Sequence, residues 1–379
     1  MQISQSTWSD PSGWQGAALN GVAQPDLVLV FGGRSALADP VRIAEIRAAY
    51  PQTNLIGCST AGEIEGVRVH DDTLVATAIR FERTQVQVAS LSLEEVGGDS
   101  REAGRQLAAR LPQGGLRHVF VLSDGLQVNG SELVEGMVQS LPAGTTLTGG
   151  LSGDGALFEQ TLVLVGEQAA GARIASLGLY GDHIRVGSAS LGGWDPFGPE
   201  RVVTRSEGNV LYELDGTSAL TLYKKYLGEH ASGLPATGLL FPMTVRSGDD
   251  DEPVMRTILG VDEATGSMTF AGDVPQGSLA RLMKANFERL VDGAGDAARS
   301  SYSPLGDTPA ELAILISCVG RKMVLKQRVE EEVEAVREAL GAQAVLTGFY
   351  SYGEISPFTP DARCRLHNQT MTVTTLSEQ

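Results

Sequence analysis

The chain has 379 residues, of which 42% are hydrophobic and 20% are charged, and its formal net charge at pH 7 is −17. This length exceeds the usual size of one hydrophobic core, so we expect two domains, and the apolar content excludes general disorder. The negative charge disfavours nucleic acid and anionic membrane surfaces as partners.

Targeting and redox features point to one compartment. Residues 1–15 lack the basic start and apolar run of a signal peptide, and no apolar stretch approaches the length of a membrane span. The three cysteines, Cys58, Cys318 and Cys364, are odd in number and widely spaced, which argues against a disulfide framework. We therefore expect a cytoplasmic protein.

In chain order, one strand–helix–strand unit is predicted three times. Its first strand is an apolar run, at residues 27–31, 118–122 and 313–316. Its helix is predicted at about 40–50, 131–141 and 324–340. Its second strand is predicted at 54–56, 145–148 and 344–347. The two strands of each unit should be parallel and joined by a right-handed crossover.

Glycine spacing supports this repeat. The distance from the glycine after the first strand to the glycine that ends the second is 24 positions in the first two copies and 28 in the third. A hydroxyl follows three positions later and an acidic residue five or six positions later. These residues are Thr60 and Glu63, Ser152 and Asp154, and Ser351 and Glu354.

Further strands are predicted after each unit, in hairpin-like arrangements. They lie at 73–81 and 85–93, then at 162–165, 174–179 and 184–191, and finally at 365–376. The expected fold class is α/β with α+β character, with mixed parallel and antiparallel sheets and helices packed outside. A glycine- and proline-rich stretch at 192–199 predicts a division into domains 1–199 and 200–379. The pattern does not determine whether the units share one sheet.

A binding site is predicted at the carboxyl ends of the parallel strands, where ligands bind in open α/β sheets. Arg321 could pair with a ligand carboxylate, and the carboxylates of Glu63, Asp154 and Glu354 could receive an amine or a metal. The same glycine and hydroxyl pattern is also typical of ordinary turns and helix caps. The candidate ligand-binding residues are Cys58, Ser59, Thr60, Glu63, Ser152, Asp154, Arg321, Tyr350, Ser351, Tyr352 and Glu354.

Sequence motifs of common enzymes and metal sites are mostly absent. There is no phosphate-binding loop, no G-x-S-x-G elbow and no H-E-x-x-H helix. Cys58 is a candidate nucleophile, although a cysteine at a strand end more often belongs to the core. His367, flanked by polar residues in an apolar strand, is a candidate axial ligand of haem iron, and the alternative is a hydrogen-bonded structural histidine.

Several segments resemble those of the FIST (F-box and intracellular signal transduction) proteins, with an N-terminal and a C-terminal FIST region in order. The resemblance extends from about residue 26 to 378. It rests on segments 56–64, 148–155, 208–216, 348–355 and 366–370.

The resemblance implies a sensory module that binds a small ligand such as an amino acid. It also implies that a subset binds haem b, senses nitric oxide and regulates a histidine kinase or a cyclic-di-GMP enzyme. No such output segment is evident in the sequence, so we expect a stand-alone sensor that signals to a separate partner. Two alternatives stay open, an enzyme that acts on a small polar substrate through Cys58 or Glu63, and a ligand-independent protein–protein adaptor.

Overall fold

The structure is a computed structural model that describes residues 1–16, 19, 21–248, 253–306, 308–359 and 362–379. It confirms the predicted fold class, because parallel and antiparallel strands share sheets and helices cover them from outside. Within these ranges, no helix combines the length and the apolar character needed to cross a bilayer.

The first repeated unit, unit one, occupies the first 80 residues. Its parallel pair is β3 and β4, and the helix between them begins as predicted, with Asp39 as the N-cap and Pro40 in the first helical position. Its elements are β1 (Gln2–Ser9), β2 (Gly13–Gly16), β3 (Leu27–Gly32), α1 (Arg34–Ala38), α2 (Pro40–Ala49), β4 (Asn54–Ser59), β5 (Glu63–Glu65), β6 (Arg68–His70) and β7 (Leu74–Arg80).

Unit two follows and repeats this order, with an additional helix before its parallel pair, β9 and β10. Its elements are β8 (Gln85–Ser92), α3 (Ser100–Arg110), β9 (Leu116–Ser123), α4 (Gly130–Ser140), β10 (Thr146–Leu151), β11 (Val163–Val165), β12 (Gln168–Ala170) and β13 (Arg173–Tyr180).

Unit three begins with β14 (Ile184–Leu191) and is then interrupted by a separate segment, which we call the insert (residues 195–284). The insert forms a nine-stranded, mainly antiparallel sheet with one helix against it. Its elements are β15 (Asp195–Pro196), β16 (Arg201–Glu207), β17 (Val210–Leu214), β18 (Thr217–Ser218), α5 (Ala219–Leu227), β19 (Met243–Arg246), β20 (Val254–Arg256), β21 (Ile258–Asp262), β22 (Ser267–Phe270) and β23 (Leu279–Lys284).

Unit three resumes after the insert and contains the third parallel pair, β24 and β25. Its remaining elements are α6 (Phe287–Tyr302), β24 (Leu312–Cys318), α7 (Val319–Leu325), α8 (Val329–Leu340), β25 (Val345–Ser351), β26 (Gly353–Pro357), β27 (Cys364–His367) and β28 (Met371–Glu378).

Each unit builds its own sheet, and the three sheets are completed by exchange of hairpins. The hairpin β5–β6 of unit one pairs with β25 of unit three, β11–β12 of unit two pairs with β4 of unit one, and β26–β27 of unit three pairs with β10 of unit two. The exchange is cyclic, so no unit has a complete sheet without its neighbours. We call the resulting body the three-sheet core.

The inner faces of the three sheets meet in one apolar cluster. Alternate residues of β3 illustrate this, since Leu27, Leu29 and Phe31 face the shared interior, whereas Val28 and Val30 pack under the helices of unit one. Both faces of the first strands are therefore buried, which explains their continuous apolar runs.

Three sequence-based predictions about these elements were wrong. The strands predicted at 73–81 and 85–93 exist, but they lie in different sheets, as β7 and β8. The strand predicted at 365–376 is divided into β27 and β28, again in different sheets. The helix predicted at 324–340 is two helices, because Lys326 adopts a left-handed φ of 54° and a 3₁₀ turn separates α7 from α8.

The predicted domain boundary at residue 199 stays a prediction. Strands from both sides of it share a sheet, because β14 pairs with β28 along eight residue pairs. The insert, by contrast, has its own hydrophobic cluster, built from α5 and its own strands.

Candidate functional site

In unit one, the predicted site residues at the end of the parallel pair form a closed hydrogen-bond network. The hydroxyl of Thr60 donates to Glu63 Oε1, and the amide and hydroxyl of Thr73 donate to Oε2 at 3.0 and 2.7 Å. Glu63 has 0% exposure. Both carboxyl oxygens are therefore occupied inside the protein.

Unit three repeats this network at equivalent positions. The hydroxyl of Ser351 donates to Glu354 Oε1 at 2.7 Å, and the amide and hydroxyl of Thr370 donate to Oε2 at 3.1 and 2.9 Å. Glu354 is also fully buried. In both units, the network therefore ties the end of the second strand and the start of the exchanged hairpin to the residue that precedes the last strand of the unit, β7 or β28.

Burial changes the acidity of these carboxyl groups. It raises the pKa of Glu63 to about 7 and that of Glu354 to about 8, against hydrogen bonds that lower them. A carboxyl group whose pKa is higher in the folded chain than in the unfolded chain stabilises the fold at low pH. That stabilisation is lost as the pH rises through the folded pKa.

We expect Glu354→Gln to flatten the pH dependence of stability. In the wild type, the Glu354 carboxyl group should lower the free energy of unfolding by about 1 kcal/mol for each pH unit as the pH rises from roughly 5 to 8. The glutamine amide does not titrate, so the variant should lack this contribution. Urea denaturation of both proteins at several pH values measures this. Glu263→Gln, at an exposed position of the insert, is the control and should keep the wild-type slope. Parallel slopes in wild type and Glu354→Gln would contradict the raised pKa.

Unit two places its predicted residues in a different arrangement. The hydroxyl of Ser152 donates to the carbonyl of Ser123 at 2.9 Å. Asp154 accepts hydrogen bonds from the backbone amides of residues 158–160 and from the hydroxyl of Tyr352, and it forms an ion pair with Arg34. Burial raises the pKa of Asp154, but these hydrogen bonds outweigh it and leave the pKa below its usual value. Asp154 thereby organises the loop that follows β10.

The structure does not place Arg321 where a ligand carboxylate could reach it. Its side chain has 0% exposure and donates to Glu332 Oε2 through Nε and Nη2, at 2.9 and 2.7 Å. Nη1 donates to the carbonyl of Gly192, and Nη2 also donates to the carbonyl of Leu290. Tyr350 is enclosed in the same cluster, because its hydroxyl donates to Glu332 Oε1 at 2.6 Å. We therefore correct the assignment of Arg321 from ligand contact to structural ion pair.

Cys58 and Ser59 are also internal. Cys58 belongs to the cluster shared by the three sheets, and burial raises the pKa of its thiol well above the usual value. A protonated thiol inside the core is a poor nucleophile. The hydroxyl of Ser59 accepts a hydrogen bond from the amide of Leu162 at 2.8 Å, which fixes the start of the exchanged hairpin of unit two.

His367 lies in β27 with 1% exposure. Its Nε2 is 2.9 Å from the carbonyl of Ser356, so the Nε2–H tautomer donates this bond, and the ring packs against Phe358. Burial lowers its pKa to about 4. Among the described residues, no group of three His, Cys, Asp or Glu side chains is arranged to hold a metal ion.

A cavity that suits a ligand lies elsewhere, between the three-sheet core and the insert. This cavity has a volume of about 690 Å³. The core contributes residues 125–130, Ala156, Phe158 and the start of α7, and the insert contributes residues 233–236, 257–259 and 270–272. Volumes of this size are typical of pockets for small molecules.

Of the predicted site residues, Tyr352 lines this cavity. Its ring stacks on that of Phe158, with centroids 4.4 Å apart and planes 15° from parallel, and its hydroxyl donates to Asp154. The loop organised by Asp154 thus carries an aromatic wall of the cavity. The other predicted site residues do not line it.

Sequence reasoning missed the rest of the lining. The available indication was a set of large apolar side chains in turns and short segments, where they remain exposed. Leu126, Phe158, Leu259 and Met323 are 40%, 40%, 46% and 37% exposed, and all four line the cavity. They are spread over almost 200 positions, so the sequence alone does not indicate that they meet.

These features define an α/β protein with a preformed, mainly apolar pocket between the three-sheet core and the insert, the type of site that holds a small ligand. The FIST N domain family matches residues 26–217 and the FIST C domain family matches residues 219–357. The chain belongs to the FIST family, as its resemblance predicted. FIST domains are sensor-type domains of signal transduction.

Comparison with individual proteins adds little beyond the family. The chain is 24% identical over 311 residues to the uncharacterized protein MJ1623 of Methanocaldococcus jannaschii, covering 75% of this chain and 58% of that protein. It therefore spans less than two thirds of this relative's length. A comparison with the solved structure of PurLQS from Thermotoga maritima gives a TM-score of 0.21 at 11% identity, covering 100% of this chain and 72% of that one.

Proposed function

We propose that this chain is a cytoplasmic sensor that binds a small metabolite in the cavity between the three-sheet core and the insert, and reports it to a separate signalling partner. The observation that carries the proposal is the lining of the cavity, which is shared by the insert and by loops from units two and three. A ligand held there would contact both parts at once. Its binding energy would therefore depend on how the insert sits against the core.

Helix α7 of unit three offers a route from this site to the rest of the molecule. Val319 and Met323 of α7 line the cavity, whereas Lys322 of the same helix donates to the carbonyl of Ala61 and pairs with Asp71 in unit one. A displacement of α7 on ligand binding would therefore be transmitted to unit one through the contacts of Lys322. The output partner we favour is a histidine kinase or a cyclic-di-GMP enzyme.

Haem does not fit the residues that are present. No histidine lines the described part of the cavity, and His367 is enclosed with its Nε2 paired to a carbonyl. Iron coordination by that nitrogen would require the bond to Ser356 to break and the strand to open. We therefore do not propose haem or nitric oxide as the ligand or signal.

The other two candidate functions have no comparable observation in their favour. An enzyme that uses Cys58 or Glu63 would need these side chains to reach a substrate, and both are fully buried. A ligand-independent adaptor would leave a cavity of this size without a role. Both remain predictions from the sequence.

A cavity-filling variant tests the proposal. Thermal unfolding is measured with a panel of small metabolites and with hemin, since a ligand that binds the folded state raises the melting temperature. We expect Ala271→Trp, which places an indole in the cavity wall, to weaken binding of any stabilising compound by at least tenfold.

The matched control is Ala264→Trp, at an exposed turn of the insert outside the cavity lining, which should bind as the wild type does. A compound that stabilises Ala271→Trp as strongly as the wild type would place its site elsewhere. A stoichiometric Soret band with hemin that disappears in His367→Ala would restore the haem hypothesis.

A further inference from the structure

The described residues that line the cavity carry no charge, since they include no Asp, Glu, Lys, Arg or His side chain. An ion that leaves water for such a site loses its hydration and gains no counter-charge, which is costly. An amino acid has both an ammonium and a carboxylate group, so this lining is unsuited to it.

Three amide side chains belong to the described lining. Gln127 is exposed, and the two asparagines are already engaged in the fold. Asn129 Oδ1 accepts hydrogen bonds from the amides of Ser131 and Glu132 as the N-cap of α4, and its Nδ2 donates to Asp273 at 3.2 Å. Asn209 Nδ2 donates to the carbonyl of Phe270 at 2.8 Å. Most of their hydrogen-bonding capacity is therefore used within the protein.

Thr257 is different. It lines the cavity with only 4% exposure, and its hydroxyl Oγ1 is buried without a hydrogen-bond partner among the described residues. Buried hydroxyl groups in proteins are almost always paired, so an unpaired one on a residue of the pocket wall is a candidate partner for a ligand group.

The buried cation Arg256 does not add a charge to the cavity lining. Arg256 adjoins Thr257, but its guanidinium donates to the carbonyls of Asp273, Met255 and Leu366 and does not line the cavity. Its hydrogen bonds hold the insert against β27. It is a structural group behind the wall.

The exposed part of the cavity lining favours an apolar ligand. Four large apolar side chains, Leu126, Phe158, Leu259 and Met323, line the cavity and are also exposed. Exposed apolar groups clustered in this way are typical of binding sites.

We propose that the ligand is a neutral, largely apolar small molecule with a single hydrogen-bonding group, which the Thr257 hydroxyl engages. This inference rests on the proposed ligand site and specifies its chemistry. Aromatic or acyl compounds with one amide, hydroxyl, arylamine or carbonyl group belong to this class.

Two dyes with the same ring system test the class. N-phenyl-1-naphthylamine is neutral and has one N–H donor, whereas 8-anilino-1-naphthalenesulfonate adds a sulfonate to the same skeleton. In fluorescence titrations of the full chain, we expect the neutral dye to bind saturably at one site and at least tenfold more tightly than the anion.

Three variants locate the binding. Thr257→Val keeps the shape and should weaken the neutral dye about fivefold, the effect of one hydrogen bond. Its melting temperature should equal or exceed that of the wild type, because an unpaired buried hydroxyl is removed. Phe158→Ala should weaken the neutral dye more than tenfold. Phe287→Ala removes a similarly exposed aromatic ring outside the cavity, and should have no effect.

The outcomes separate the two proposals. If the anionic dye binds more tightly and Phe158→Ala weakens it, the cavity is the ligand site but the ligand is not neutral. If neutral binding is unaffected by Thr257→Val, the assignment of its hydroxyl is wrong. If neither dye responds to Phe158→Ala, the cavity is not the ligand site and the proposed function fails with it.

Discussion

Glu332→Ala is expected to lower the free energy of unfolding by about 3–5 kcal/mol. Both side chains of the Arg321–Glu332 ion pair have 0% exposure, and Nη2 lies 2.7 Å from Oε2. Without the carboxylate, the guanidinium stays buried with only carbonyl oxygens around it, and an uncompensated charge in the interior is costly. Urea denaturation followed by circular dichroism measures the change.

The position of this pair explains why the effect should be large. Arg321 belongs to α7 and Glu332 to α8, and the pair bridges the break between these helices. Arg321 also donates to the carbonyls of Gly192, where the chain leaves for the insert, and Leu290 in α6. The variant therefore loosens the junction of three helices and the insert.

Two comparisons isolate the ion pair. The double variant Arg321→Met/Glu332→Leu should cost less than Glu332→Ala alone, because no unpaired charge remains. Arg299→Ala removes an exposed pair with Asp296 and should change stability by about 0.5 kcal/mol or less. Wild-type stability of Glu332→Ala would show that the pair does not contribute as its geometry implies.

Gly348→Ala is expected to destabilise the protein by about 3 kcal/mol or more. A Cβ atom built at this position would lie 1.8 Å from the carbonyl oxygen of Leu315, its neighbour on the parallel strand. Backbone atoms cannot rotate away, so β24 and β25 would have to separate. The strands are buried on both faces, and the separation would disturb packing on each side.

The same substitution can be made at the equivalent glycines of units one and two. Gly57 and Gly149 occupy the same register, and a Cβ atom there would lie 1.9 Å from the carbonyl oxygens of Val30 and Val121. We expect alanine at either position to have a similar effect in urea denaturation. Gly114→Ala is the control, because nothing lies within 4 Å of its Cβ position. If the three core variants were as mild as Gly114→Ala, the close approach of the strands would be incorrect.

Much of the local structure could be predicted from the sequence. The strand–helix–strand units, the glycines at the ends of the second strands and the Asp39–Pro40 helix start all appear as expected. These features depend on periodicity, capping and turn chemistry within about 30 residues, which are visible in one sequence.

The pairing of the strands could not be predicted in the same way. Each exchanged hairpin comes after the parallel pair of its own unit but pairs with a strand of a different unit, as β5 does with β25, nearly 300 positions away. Strands that follow each other usually pair, so the expectation for β7 and β8 was reasonable and wrong. The apolar pattern of a strand shows that it is buried, but it does not identify the neighbour.

The candidate site illustrates the same limit. Hydroxyl and acidic residues at the strand ends, such as Thr60 with Glu63 and Ser351 with Glu354, were interpreted as ligand contacts. In the structure they pair with each other, because the exchanged hairpins cover the strand ends that an open sheet would leave free. Ordinary structural hydrogen bonds and ligand contacts use the same residue types, and only burial distinguishes them.

By itself, the sequence determined the family, the fold class and the repeated unit of this protein, because these follow from local patterns repeated along the chain. Only the tertiary structure decided which sheet each hairpin joins, which polar residues are enclosed, and where the insert meets the core to form a cavity. The physical reason is that a cavity is bounded by residues remote in sequence, such as Leu126, Thr257 and Met323, and their proximity is set by packing between sheets.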